Sequence, residues 1–295
     1  MSGGMGDTDI WFPHLQIYFE NLPKSVTVFG IEIAFYGMII ALGMLGAVYL
    51  CAHLAERFGL TPDDIWNIAI LVIVFGVLGA RIYYVAFSWD AYRDNPAEIF
   101  NIRGGGLAIY GGVIAGFLTV YVYAKRNVRQ FLRLTDVIMH GLLFGQILGR
   151  WGNFTNREAF GEYTDNLFAM RLPVQAVRSQ DITETMRAHM PAGANYIQVH
   201  PTFLYESTWN LCLLVFLLWF GRKGKPFDGA FVLIYLGGYG LGRFLIEGLR
   251  TDQLLIPGTS VAVSQMLGLA LFLFSVVMWT VAGGRKKKQA QSSEE

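Results

Sequence analysis

The chain has 295 residues, of which 54% are hydrophobic and only 15% charged. Soluble domains average about 25% charged residues, so this composition excludes an ordinary soluble globule and points to a lipid bilayer. A formal net charge of +1 lacks the basic footprint of a nucleic-acid binder, and no nucleic acid is expected as a partner.

Residues 1–9 carry Asp7 and Asp9 where a secretory leader would be basic, so no cleavable signal peptide is expected. From Ile10 to Glu32, Trp11, Phe12, Tyr18 and Phe19 alternate with Pro13, Pro23 and acidic groups. That mixture suits an interfacial N-terminal arm, 1–32, better than a membrane span. Spans need about 20 mostly apolar residues, which places them at 33–53, 65–87, 106–124, 135–149, 203–220, 229–247 and 260–282. The fourth is short and carries His140 and Gln146. The expectation is an all-α polytopic membrane protein, with seven transmembrane helices in a domain over 33–282.

The stretch from Glu162 to Val199 is too polar, and too broken by Pro173, Pro191 and Gly193, to enter the bilayer. It reads as a small external subdomain or lid at about 162–199, without a separate hydrophobic core, with a short helix near Thr183–Met190. Residues 283–295 are basic, then acidic, and read as an unstructured cytoplasmic tail. Cys51 and Cys212 lie inside apolar runs and read as small core residues. No Asp/Glu/His cluster has ligand spacing, so neither metal nor cofactor is expected.

Basic residues set the orientation. Arg57 follows the first span, and Lys125, Arg126, Arg129 and Arg133 follow the third. Arg222, Lys223 and Lys225 follow the fifth, and Arg285 to Lys288 follow the last. These are alternate loops, so the positive-inside rule puts all of them in the cytoplasm. The N-terminus is then outside, the C-terminus cytoplasmic, and residues 150–202 face outward.

Several polar groups sit where a bilayer disfavours them. Gly149 to Gly161 supplies Arg150, Asn153, Asn156, Arg157 and Glu158 within a dozen residues. Arginine forks and amide donors of this kind hold phosphate oxygens, although a polar loop with headgroup-facing arginines has the same composition. Tyr239, Arg243 and Glu247 fall on one face of the sixth span. Arg243 could simply pair with Glu247, but charged groups inside spans usually face a cavity or a substrate path. Arg81, in the second span, reads equally as a ligand group or as a cation paired with backbone carbonyls. Gly141, Gly145 and Gly149 form a stripe suited to close helix packing.

The run Gly149-Arg150-Trp151-Gly152-Asn153-Phe154-Thr155-Asn156-Arg157-Glu158-Ala159-Phe160-Gly161 resembles the signature of the prolipoprotein diacylglyceryl transferases, Gly-Arg-x-Gly-Asn-Phe-x-Asn-x-Glu-x-x-Gly, at every specified position. His200-Pro201 through Tyr205-Glu206 resembles the family's His-Pro-x-x-x-Tyr-Glu block, and Tyr36-Gly37 resembles its Tyr-Gly pair. The glycine frame 104–112 also matches, but Tyr110 stands where many members have histidine. A tyrosine of ordinary pKa, about 10, is a poor base at neutral pH. Either neighbouring arginines depress it or Tyr110 only positions the substrate.

The resemblance implies a bacterial inner-membrane enzyme with its active site toward the outer face. Its substrates would be phosphatidylglycerol and a preprolipoprotein signal peptide bearing a lipobox cysteine. The diacylglyceryl group would move to the cysteine thiol, forming a thioether and releasing glycerol phosphate. The implied catalytic set is Arg150, Arg243, Tyr110 and Glu158. Tyr36, Asn153, Asn156, Gly161, His200, Tyr239 and Glu247 are the implied substrate-binding residues. Within this set Arg150 and Arg243 bind the headgroup phosphate, Asn153 and Glu158 orient the headgroup or Arg150, and Tyr239 and Glu247 fix Arg243. The alternative from another class is a transporter or channel whose anion path is lined by Arg81, Arg150 and Arg243.

Overall fold

A computed structural model describes residues 5–102, 105–127, 130–222, 224–259 and 261–292, with side chains to 284. Eight helices are described: α1 (Phe35–Leu54), α2 (Pro62–Phe87), α3 (Ile109–Arg126), α4 (Phe131–Asn156), α5 (Glu184–Ala188), α6 (Thr202–Gly221), α7 (Ala230–Glu247) and α8 (Val263–Ser292). Among the described residues, six helices are long and apolar enough to cross a membrane: α1, α2, α4, α6, α7 and α8. Large apolar side chains on them, such as Leu42, Ile70, Val215 and Leu273, point outward instead of being buried. A soluble protein would hide such side chains, whereas a bilayer solvates them. α3 ends on Lys125 and Arg126 and falls outside those six.

Two compact units divide the chain, Met1–Ala47 with Leu142–Glu295 and Val48–Gly141, and the boundary falls inside α1 and α4. In the second unit, α2 opens on a capping box. Thr61 Oγ1 accepts the Asp64 N–H at 3.2 Å, the Asp64 carboxylate accepts the Thr61 N–H at 2.9 Å, and Pro62 follows at the first helical position. α2 and α3 then pack backbone to backbone, since a Cβ on Gly79 would lie 2.8 Å from the Gly111 carbonyl oxygen.

The first unit uses the same device between α7 and α8, where a Cβ on Gly268 would lie 2.6 Å from the Gly240 carbonyl oxygen. Its other part is a four-stranded antiparallel sheet in the order β2 (Ile17–Phe19), β1 (Ile10–Phe12), β5 (Met170–Pro173), β6 (Tyr196–Val199). A hairpin of β3 (Ser25–Val28) and β4 (Ile31–Ala34) leads into α1. The all-α expectation is corrected here. Strands of three or four residues are too short to register as alternation in a sequence.

Within the arm, β1 pairs with β2, and it also pairs with β5. Segment 162–199 has no core of its own: Met170, Leu172, Met186 and Ile197 pack with Ile10 and Phe12 of the arm and with Phe154 and Phe203 of α4 and α6. Two further expectations change. The fourth span extends far beyond 135–149, from Phe131 to Asn156, so the signature is helical from Gly149 to Asn156. The tail continues α8 as far as Ser292. The short helix expected near 183–190 is α5, capped by Thr183, whose side chain accepts the Met186 N–H at 3.2 Å.

Candidate active site

Three helices of the first unit converge on one carboxylate. Glu206, in the second turn of α6, lies 2.8 Å from Arg150 Nη2 of α4 and 3.1 Å from Arg243 Nη1 of α7, both on Oε2. Its Oε1 accepts Arg250 Nη1, just beyond α7, at 3.4 Å. Arg243 Nη2 is 2.7 Å from Glu247 Oε2, one turn along α7, and Ser264 Oγ donates to Glu247 Oε1 at 2.6 Å. Asp252 completes the group, accepting from Arg250 Nη2 at 2.8 Å and from its Nε at 3.0 Å. Three guanidiniums therefore face three carboxylates, and the group is neutral as a whole.

The depth ordering decides what the group can do. Glu206 and Glu247 side chains are 6% and 5% exposed, Arg150 and Arg243 20% and 19%. The two carboxylates are buried more deeply than the two guanidiniums that pair with them. Like charges are thus held together by shared carboxylates, while Arg150 and Arg243 stay partly exposed. Beyond the spans, burial works against the charged form of Arg250, but the Asp252 hydrogen bond and the charges of Asp252, Glu206 and Glu247 prevail and raise its pKa. Burial likewise works against ionised Asp252, and Arg250 outweighs it, lowering that pKa.

The signature supplies a second chain of contacts. Arg150 Nη1 donates to Asn153 Oδ1 at 3.4 Å, and Asn153 Nδ2 donates to Glu158 Oε1 at 3.0 Å. Asn156 Nδ2 reaches the same oxygen at 3.4 Å. Glu158 can come back toward α4 because Arg157 and Ala159 on either side adopt φ of +56°. Such left-handed non-glycine residues cost of order 1–3 kcal/mol each and survive only where their surroundings hold them. Arg157 is held in this way: it is 2% exposed, donates to the Thr155 carbonyl at 3.0 Å, and grips the carbonyls of Thr8 and Leu22 in the arm.

Gly161 stitches backbone to backbone. Its N–H donates to the His200 carbonyl at 2.9 Å, the Glu162 N–H donates to the Leu249 carbonyl at 2.8 Å, and a Cβ on Gly161 would lie 2.6 Å from that oxygen. Tyr36 packs against Gly152, where a Cβ would meet its ring at 2.8 Å. His200 Nδ1 is 3.3 Å from the Tyr205 hydroxyl, and burial lowers its pKa against the opposing charge of Glu162. Tyr239 stacks on Tyr235, with ring centroids 5.4 Å apart, and not on Arg243. Tyr110, in the first turn of α3, belongs to the second unit and is 62% exposed.

Three members of the cluster, Glu206, Arg250 and Asp252, are not singled out by the sequence. Glu206 stands out only as the last residue of the His-Pro-x-x-x-Tyr-Glu block. No motif marks Arg250, although Arg243, Glu247 and Arg250 are spaced i, i+4, i+7 and continue one face. Arg81 resolves the other way. Its Nε donates to the Ile99 carbonyl at 2.8 Å, Nη1 to those of Gly105 (2.8 Å) and Gly106 (2.9 Å), and Nη2 to those of Glu98 (2.6 Å) and Asn101 (3.1 Å). All five donors of the fork are used, so Arg81 lines no anion path.

Fold and site together define a polytopic helical membrane protein with a cluster of arginines braced by carboxylates. The sequence profile described as prolipoprotein diacylglyceryl transferase matches residues 23–281. Phosphatidylglycerol–prolipoprotein diacylglyceryl transferase of Clostridioides difficile strain 630 is 42% identical over 234 residues, 79% of this chain and 84% of that protein. The proteins of the same description from Finegoldia magna and Synechococcus elongatus are 36% and 38% identical, covering 92% and 86% of this chain and 98% and 85% of their own lengths. The chain belongs to the prolipoprotein diacylglyceryl transferase family.

Proposed function

We propose that this chain transfers the diacylglyceryl group of phosphatidylglycerol to the lipobox cysteine of preprolipoproteins, the first step of lipoprotein maturation. The cysteine thiolate attacks an sp³ glyceryl carbon, the carbon–oxygen bond to phosphate breaks, and a thioether forms. The electron pair leaves on glycerol phosphate, and the thiol proton passes to a base or to the departing phosphate. No tetrahedral acyl intermediate arises, so the main electrostatic demand is the charge on the leaving phosphate, which preorganised cations meet best in a low-dielectric site.

The observation that supports this reading is the pair of partly exposed guanidiniums, Arg150 and Arg243, held on the buried carboxylate of Glu206. In this reading they bind the headgroup phosphate. Asn153 and Glu158 orient Arg150, Glu247 orients Arg243, and Asn156, Tyr36, Tyr239, His200 and Gly161 shape the substrate pocket. Tyr110 takes the family's histidine position as a positioning group. α3 counts as the seventh span, which puts the N-terminus outside, the C-terminus in the cytoplasm, and the sheet with segment 162–199 on the outer face of the bacterial inner membrane.

The test uses purified protein, phosphatidylglycerol vesicles and a lipobox peptide, with a Cys-to-Ser peptide as control. Glycerol phosphate release that depends on the cysteine is the expected result. No release, in detergent and in bilayers alike, would reduce the cluster to a lipid-binding site.

A further inference from the structure

The β3–β4 hairpin is not used by the chemistry above, and its two faces differ. Its register is Ser25↔Ala34, Val26↔Ile33, Thr27↔Glu32 and Val28↔Ile31. Directly opposed residues share a face and neighbours alternate, so Val26, Val28, Ile31 and Ile33 form one face. Ser25, Thr27, Glu32 and Ala34 form the other, where Ser25 Oγ donates to the Glu32 carboxylate at 2.6 Å. Among the described residues nothing covers the apolar face: Ile31 is 66% exposed, Val28 41%, and Phe29 at the turn 101%.

The turn sharpens the point. Phe29 and Gly30 have φ of +50° and +79°, the two positive values that a tight hairpin turn needs and that Asn-Gly or Asp-Gly fill most readily. A bulky aromatic there is uncommon and gains no packing within the fold, so the turn itself does not account for it. The chain also fixes where the hairpin is rooted. β4 ends at Ala34, membrane helix α1 begins at Phe35, and the Phe35 N–H donates to the Lys24 carbonyl at 2.9 Å across the hairpin's base.

We propose that this hairpin is a membrane-surface finger, lying on the leaflet where α1 enters the bilayer, with its Val26/Val28/Ile31/Ile33 face and Phe29 buried in lipid. Its strands are about 13 Å long, and the open edges of a two-stranded hairpin carry backbone groups that hydrocarbon would leave unsatisfied. The finger therefore lies along the headgroup–acyl boundary, Phe29 deepest, with Thr27 and Glu32 toward water. This inference rests on the membrane-spanning helices and not on the proposed reaction.

The experiment places an environment-sensitive fluorophore on the full chain through Phe29→Cys, or through Thr27→Cys for comparison, in a Cys212→Ser background. The buried Cys51 is left in place. The carrier is vesicles of phosphatidylglycerol and phosphatidylethanolamine. The label at 29 is expected to emit to the blue of the label at 27, to be quenched by spin-labelled lipid, and to be spared by aqueous iodide. Equal iodide quenching at both positions overturns the proposal. So does a label at 29 shielded from iodide and spin-labelled lipid alike, which would mean that a second copy or a bound peptide covers the face. Phe29→Asp, read by a label through Val28→Cys, is expected to lose lipid quenching while the chain stays in the membrane fraction. Retained quenching would also overturn it.

Discussion

Arg81 and Arg243 both stand on apolar helices where a bare guanidinium is costly, and each unit meets that cost differently. Around Arg81 the carbonyls of Glu98, Ile99, Asn101, Gly105 and Gly106 accept from the fork, the Tyr92 ring lies 5.1 Å away, and the residue is 6% exposed. Neutral dipoles saturate every donor, which makes a closed structural lock. Around Arg243 the counter-groups are carboxylates, Glu206 and Glu247, each more deeply buried than the arginine. Charge is balanced while Arg243 stays partly exposed. In the proposed function, that remaining exposure is what lets Arg243 meet a phosphate.

That contrast can be broken most decisively at the open site. Arg243→Ala is expected to lower transfer by about 10²–10³-fold, the effect of deleting one preorganised donor to a leaving charge. Arg243→Lys should recover little, since an ammonium cannot reproduce the fork. Glycerol phosphate release measures both, and near-wild-type rates would remove Arg243 from the phosphate site. Next in size is the closed lock: Arg81→Met should destabilise the protein by about 3 kcal/mol, since its carbonyl acceptors are left without a donor. Thermal unfolding in detergent reads this, and an unchanged Tm would mean that the lock is ornamental.

The smallest effect separates the two kinds of partner by pH. Carbonyls do not titrate, whereas Asp252 does, and its folded pKa lies below its ordinary value because Arg250 outweighs the cost of burial. A depressed carboxylate contributes stability that is fully present above about pH 4 and is lost as pH falls through the folded value. The stability gap between wild type and Asp252→Asn should therefore close in acid, while the gap for Arg81→Met should not. Parallel gaps would assign Asp252 no net electrostatic contribution.

The sequence by itself determined the membrane class, the order of the long helices and the chemistry-bearing string from Arg150 to Glu158. Those features rest on local hydropathy and on residue types at short spacing, both readable along one dimension. It also placed Arg243 and Glu247 on one face, because one helical turn is fixed by backbone geometry. Only the tertiary structure decided that Glu206, 56 residues beyond Arg150 in the numbering, would be the carboxylate that gathers three arginines. Likewise only the fold spent Arg81 on carbonyls and joined β1 to β5 across roughly half the chain. Such pairings are chosen by which surfaces meet once helices pack. An isolated arginine looks the same in sequence whether its partners will close it in or leave it open.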